Sequence, residues 1–383
     1  MTSPTRRLSA FALSVVFLAL QSPAQVRAEP GVTATSILIG QSAPLSGVNG
    51  PLGVESRDGG LAYFEYINKR GGIHGRKIVL KTVDDGYVPA RTAANVRKLI
   101  DEDKVFALFL LRGTSHVIEA AKVFVPAKVP LISCSCGALS LRDPLNPYLF
   151  HTRASFQDET DKIVEYFSTV GVKKIAIFYQ ADGFGKDGQL ASDRATKRFG
   201  TGIVAQGAVE PNSINVSNAV QTIAKSDPQA IIMYTLFKPA VEFVRQFKKT
   251  GMNPTFVALS PVGTTALVRE LGDDSRGLVV SQTVPYPWSP TTPVVKEYLA
   301  VLKDHPSTPI DFSTLEAYIG AKVLVEALRR TGKDLTREKL ISTLERMRNY
   351  DVGGFEIGFS PTNHNGSSYA DLTVIGAGGR VLR

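Results

Sequence analysis

The chain has 383 residues, 43% hydrophobic and 21% charged, the proportions of an ordinary globular protein. At this length a single hydrophobic core does not suffice and two domains are expected. The net charge of +9 is scattered in short clusters such as Lys173-Lys174, Lys248-Lys249 and Arg329-Arg330; this argues against a nucleic-acid stripe and supports at most a weak preference for small anions.

Arg6 and Arg7 precede an apolar run from Leu8 to Leu20, and small residues stand two apart at Val26 and Ala28. This is the layout of a secretory signal cleaved after residue 28, with Ser22 and Ala24 marking a second cut, and it directs the mature chain out of the cytoplasm. The run rises only about 20 Å as a helix, short of the roughly 20 residues that span hydrocarbon. No Cys follows it that could carry a lipid. Removing this segment leaves 41 basic against 35 acidic residues, or +6.

Strands are expected at 36–40, 77–83, 105–111 and 130–133. A second series begins afresh at 174–179 and continues at 203–208, 230–234, 255–259 and 278–283. Helical-period segments lie between them, such as Leu61, Phe64 and Ile67 before Gly71-Gly72, and Val241, Val244 and Phe247 before Gly251. Such alternation is the signature of βαβ units, so the fold class is α/β with two doubly wound parallel sheets. After a passage bearing Pro285, Pro287, Pro290 and Pro293, three helices follow at 294–303, 314–330 and 337–347 without strands of their own. They are expected to return to the first domain. The lobes are therefore 31–152 plus 284–352 and 153–283 plus 353–383, with strands at 372–375 and 381–382 closing the second, and the repeated crossings form a hinge.

Cys134 and Cys136 are the only cysteines. A bridge between i and i+2 closes a strained ring and no useful loop, so two free thiols are expected, with no metal site and no catalytic role. Gly183-Phe184-Gly185-Lys186-Asp187-Gly188 is a literal GxGxxG between a strand and a helix, the pattern of a dinucleotide fingerprint in an oxidoreductase. Gln180, Ala181 and Asp182 separate the strand from the first glycine, however, and Asp182 would face a pyrophosphate with a carboxylate. GxSxG, HExxH and CxxC are missing, and the five histidines are far apart. No cofactor is expected, and no enzymatic activity. Asp84-Asp85, before Pro89, reads as a helix-capping pair. What remains are strand-to-helix turns with small polar residues: Gln41 to Pro44, Gly113-Thr114-Ser115, and Ser133 to Gly137. At the carboxyl edge of a parallel sheet such turns offer free N–H groups to an anion.

Ile39 to Gly47, followed by Ile67 to Arg76, resembles the opening of the leucine/isoleucine/valine-binding proteins, type I periplasmic solute-binding proteins that serve ATP-driven importers. The Asp84-Asp85 turn, Val129 to Ser133, Tyr179 to Gly185 and Gly251 to Pro254 continue the resemblance across nearly the whole mature chain. It implies a monomeric clamp of two α/β lobes, the periplasmic binding protein-like I fold, that closes on one small molecule and is read by membrane permease subunits. A carboxylate ligand, either an amino acid or an aromatic or other organic acid, would be held at Gly113, Thr114, Ser135, Cys136 and Gly137. Phe184 and Phe237 would form the aromatic wall, with Leu52 where relatives carry a first-lobe aromatic. The acidic residue that binds an ammonium falls around Ser260 or Pro261, where no carboxylate stands, and Arg153 lies at the domain crossing. A sensor subunit signalling to a membrane receptor would use the same clamp.

Overall fold

A computed structural model describes Met1 and residues 29–383; the rest of the expected secretory signal lies outside the described residues. The first lobe opens with β1 (Ser36–Ala43), α1 (Gly50–Asn68), β2 (Lys77–Asp84), α2 (Pro89–Asp101), β3 (Ala107–Arg112), α3 (Thr114–Phe124), β4 (Leu131–Ser135) and β5 (Leu149–Phe150). These strands form a parallel sheet ordered β2-β1-β3-β4-β5. All six residues of β3 are buried, as a central strand covered by helices on both faces requires.

The second lobe repeats the pattern through α4 (Phe156–Thr169), β6 (Lys174–Gln180), α5 (Gly183–Phe199), β7 (Gly202–Val209), α6 (Ser217–Ala224), β8 (Ala230–Tyr234), α7 (Phe237–Lys248), β9 (Thr255–Ala258), α8 (Thr264–Leu271) and β10 (Val279–Gln282). Its parallel strands follow the equivalent order β7-β6-β8-β9-β10. In each lobe the strand order reverses once, between β1 and β3 and between β6 and β8. Ligands of open α/β sheets bind outside the carboxyl ends of the strands at such a reversal.

The chain then returns as α9 (Pro293–Leu302), α10 (Phe312–Thr331) and α11 (Arg337–Glu345). Leu315, Ile319 and Leu324 of α10 enter one apolar core with Phe64 of α1 and Phe109 of β3. Gly59 makes this approach close: a Cβ there would strike the backbone of Thr314. The next turn forms the antiparallel pair β11 (Tyr350–Asp351) and β12 (Glu356–Ile357). Phe355, Ile357 and Phe359 pack into the first lobe's core, so the final crossing comes after residue 366 rather than at 353. Only then do β13 (Asp371–Ile375) and β14 (Val381–Leu382) extend the second sheet, antiparallel to β10 and to each other.

The crossings are tied side by side. His151 N–H donates to the His364 carbonyl (2.9 Å) and Gly366 N–H to that of His151 (2.7 Å). Arg142 donates to Asn365 Oδ1 (2.8 Å) and to the Arg153 carbonyl (3.0 Å).

The cysteine expectation is corrected: Cys134 and Cys136 form a disulfide, with Cα atoms 5.2 Å apart. In a strand, residues i and i+2 point to the same face, and here the chain bends as it leaves β4, bringing two buried side chains within bonding range. His151 lies beside the sulfurs, but each sulfur is committed to the other, which leaves a metal one imidazole.

Candidate ligand-binding cleft

The two sheet reversals face each other across a small, partly enclosed cleft. Arg112, Gly113, Thr114, Ser135 and Tyr87 line it from the first lobe, and Phe184, Leu236 and Pro261 from the second, with Phe156 at the start of α4. The lobes are in contact around it: Asn212 Nδ2 donates to the Tyr87 carbonyl (3.1 Å), Gly183 N–H to Ser115 Oγ (3.0 Å) and Thr265 N–H to Asp311 Oδ2 (3.2 Å). This is a closed clamp.

The end of β3 supplies the polar side. Gly113 has φ = 96°, a left-handed value suited to glycine, and turns the chain directly into α3. The first N–H groups of α3 have no carbonyl one turn back and carry the positive end of the helix dipole. Thr114 is 1% exposed, and its Oγ1 has no hydrogen-bond partner. Beside it the Arg112 guanidinium, 2% exposed, donates to Ser135 Oγ (3.1 Å), Ser56 Oγ (3.3 Å) and, across the cleft, the Pro261 carbonyl (2.9 Å). Its Nε is buried without a partner. Burial pulls the Arg112 pKa below its ordinary value, because desolvation disfavours the charged form. A buried cation with only neutral partners is costly until an anion arrives.

Of the residues expected at the site, Gly113, Thr114, Ser135 and Phe184 come together. Ser135 is the residue between the bridged cysteines, so the disulfide brackets the hydroxyl that faces Arg112. Phe184 packs on Phe156, ring centroids 4.7 Å apart. The others are placed differently. Cys136 is spent in the disulfide, and Gly137 sits under the Phe156 ring. Leu52 reaches across the lobes to pack on Gly263 and joins the second lobe's core. Phe237 and its neighbour Leu236 both join that core, but of the two only Leu236 also lines the cavity. Ser260 and Arg153 bond each other in a buried network at the crossing. Arg153 is already neutralised by Glu159 at 2.6 Å.

Sequence reasoning missed Arg112, Tyr87, Phe156 and Leu236; of the pair Ser260 or Pro261, it is Pro261 that lines the cleft. The signal for Arg112 was present: a charged residue ends the otherwise apolar run Ala107-Leu108-Phe109-Leu110-Leu111 at the carboxyl edge of a strand. Tyr87 is positioned by the acidic pair, which organises the turn rather than capping α2. Asp85 accepts from Tyr87 N–H (2.9 Å), Ser42 Oγ (2.9 Å) and Thr92 Oγ1 (3.0 Å), while Asp84 accepts from Leu45 N–H (2.7 Å) and Gly86 N–H (2.9 Å). The ring of Tyr87 then covers His116, centroids 4.2 Å apart.

The glycine run has no room for a pyrophosphate. Asp182 caps α5, accepting from Phe184 N–H (2.9 Å) and Gly185 N–H (3.3 Å), so the helix terminus is already occupied by a carboxylate. Gly185 lies against the Gln180 carbonyl and Gly188 against the Tyr234 ring; close packing accounts for both.

Glu55 stands behind Arg112 on α1. Burial, reinforced by Asp311, pushes its carboxyl up to about 8. The folded protein thus holds a proton that the unfolded chain releases near 4.5, and stability falls as pH rises from about 4.5 to about 8. Glu55→Gln keeps the neutral shape and is expected to raise the melting temperature at pH 8 while changing it little at pH 5. Equal shifts at both pH values, measured by calorimetry, would remove Glu55 as the cause.

Two α/β lobes closed on a cavity at their sheet reversals define a solute-binding clamp. The profile of a family described as "Periplasmic binding protein" matches residues 36–380. A Leu/Ile/Val-binding protein homolog 7 of Brucella abortus (strain 2308) is 24% identical over 367 residues, covering 90% of each chain. A crystal structure of a possible leucine/isoleucine/valine-binding protein from Rhodopirellula baltica SH 1 aligns with a TM-score of 0.88 at 31% identity, over 91% of this chain and 97% of that one. A substrate-binding periplasmic protein from Ralstonia solanacearum aligns with a TM-score of 0.86 at 33% identity, over 91% and 99%. The chain belongs to the periplasmic binding protein family. Among the described residues no helix is long and apolar enough to cross a membrane.

Proposed function

We propose that the protein works outside the cytoplasm, captures a small carboxylate-bearing molecule between its lobes and delivers it unchanged to the permease of an ATP-driven importer. The supporting observation is the set of groups that converge on the cleft with unmet demand for an anion: the Arg112 Nε and the Thr114 Oγ1, together with the N-terminus of α3. Ser135 shares the guanidinium, and Phe184, Phe156 and Leu236 cover an apolar body. Burying such a body contributes roughly 2 to 3 kcal/mol, and each hydrogen bond to a charged group about 1.5 to 3 kcal/mol, enough for micromolar affinity after association costs. The names of the Brucella and Rhodopirellula relatives point to branched amino acids as one ligand class. No step needs a general base or a cofactor. A permease would read closure, since a ligand contacted by both lobes favours the closed state.

Small-angle scattering tests this. The ligand-free protein is expected to sample a more extended form, and a bound carboxylate to lower its radius of gyration. Identical scattering with and without a calorimetrically verified ligand would defeat the clamp, and recovery of the ligand in a converted form would defeat the transport reading.

A further inference from the structure

We infer that the cleft selects a small monocarboxylate with no ammonium group, the deamino counterpart of a branched or single-ring amino acid; this rests on the carboxylate-capture reading and narrows it. The groups lining the cavity include one fixed positive charge, Arg112, and no carboxylate. None of the nearby acids lines the cavity. Asp182 accepts from two N–H groups of α5 and from Gln180 Nε2 (2.7 Å). Glu159 is paired with Arg153 at 2.6 Å, and Glu316 faces Arg153 and Thr283, each at 3.5 Å. Glu55 does not line the cavity, and burial keeps its carboxyl protonated at neutral pH.

A zwitterion would place its ammonium in this partly enclosed space, within a few ångströms of the guanidinium that holds its carboxylate. It would meet like-charge repulsion and find no counter-ion, a combination that buried charges do not tolerate. A plain carboxylate meets the opposite situation: it neutralises Arg112 and supplies acceptors for the Arg112 Nε and Thr114 Oγ1, both buried without partners.

The remaining surface is apolar, formed by Phe156, Phe184 and Leu236 around the Tyr87 ring. With the lobes closed, the space among these side chains is small. A compact apolar group, such as a branched short chain or a single ring, suits that lining better than a long acyl chain.

Calorimetry on the mature chain at neutral pH, with matched probes, tests the inference: isovalerate against L-valine and isovaleramide, isocaproate against L-leucine, and benzoate against benzamide. The acid of at least one set is expected to bind about 100-fold or more tighter than its amino acid or amide partner. Arg112→Gln should bring the acid and the amide of that set within a few-fold of each other. Thr114→Val, which keeps the side-chain shape, should weaken the acid about 10-fold and serves if Arg112→Gln does not fold. L-valine or L-leucine binding as tightly as its deamino partner would overturn the inference and leave carboxylate capture standing. Binding of the amides alone, or of no member of the panel, would overturn both.

Discussion

Replacing Arg112 by methionine is expected to raise the melting temperature of the ligand-free protein by about 2 to 4 °C and to abolish carboxylate binding. The two effects have opposite signs because one charge serves two states. With the lobes closed and no ligand between them, the guanidinium is buried, its partners are two hydroxyls and a carbonyl, and its desolvation is not repaid by any ion pair. Replacing buried charge with a well-packed apolar side chain is often neutral or stabilising by about 1 to 4 kcal/mol. Methionine matches the stem in length and bends to fill irregular space. Part of the gain is offset by the Pro261 carbonyl and the Ser135 hydroxyl, which lose a donor. Ser56 still donates to the Leu52 carbonyl at 2.9 Å, so it loses little.

With ligand the sign inverts. The carboxylate enters a dry cleft whose only fixed cation has gone, and leaving one buried charge unpaired costs about 3 to 5 kcal/mol. Thermal melts with and without a bound acid measure both effects in one series. A variant that melts lower than the parent and binds the acid as well as the parent does would show that Arg112 is a structural residue.

The architecture was legible because its causes are local and periodic. Apolar runs at 105–111, 174–179 and 230–234 can be read as buried strands without knowing what covers them, and the last strand, Val381–Leu382, falls where expected. The return of three helices to the first lobe followed from a shortage of strands. The site was less legible because it depends on direction. Phe237 and Leu236 are neighbours, but the first turn of α7 sends the aromatic ring into the core and leaves the leucine at the cleft. Arg153 and Arg112 are both buried arginines near turns, and only the fold shows that one is paired with Glu159 while the other bonds only hydroxyls and a carbonyl. The bridge between Cys134 and Cys136 depends on a bend at the end of β4, which spacing does not encode. Short strands such as Leu149–Phe150 and Tyr350–Asp351 carry too few residues for any period to show.

The second large effect concerns the pivot. Glu159→Ala is expected to destabilise the protein by about 3 to 5 kcal/mol, read from the urea midpoint. Arg153 and Glu159 are both fully buried, 2.6 Å apart. Glu159 also accepts from Ser260 N–H (3.0 Å) and Ser281 Oγ (2.5 Å), so its loss orphans two donors as well as a guanidinium. Arg153 reaches Glu316 of α10 at 3.5 Å, too loosely to replace the lost partner. The double variant Arg153→Met with Glu159→Leu removes both charges together and should recover a good part of the loss, since an apolar pair of similar volume has nothing left to desolvate. A single substitution costing less than about 1 kcal/mol, or a double variant no better than the single, would show that the charges are not coupled. The arrangement also assigns the two arginines different work. Arg153, fixed to Glu159 within the second lobe and only lightly held to Glu316 of the first, would stay in place if the lobes rotate about the crossing as proposed. In the proposed clamp motion Arg112, whose bond to Pro261 spans the cleft, would give up that partner on opening.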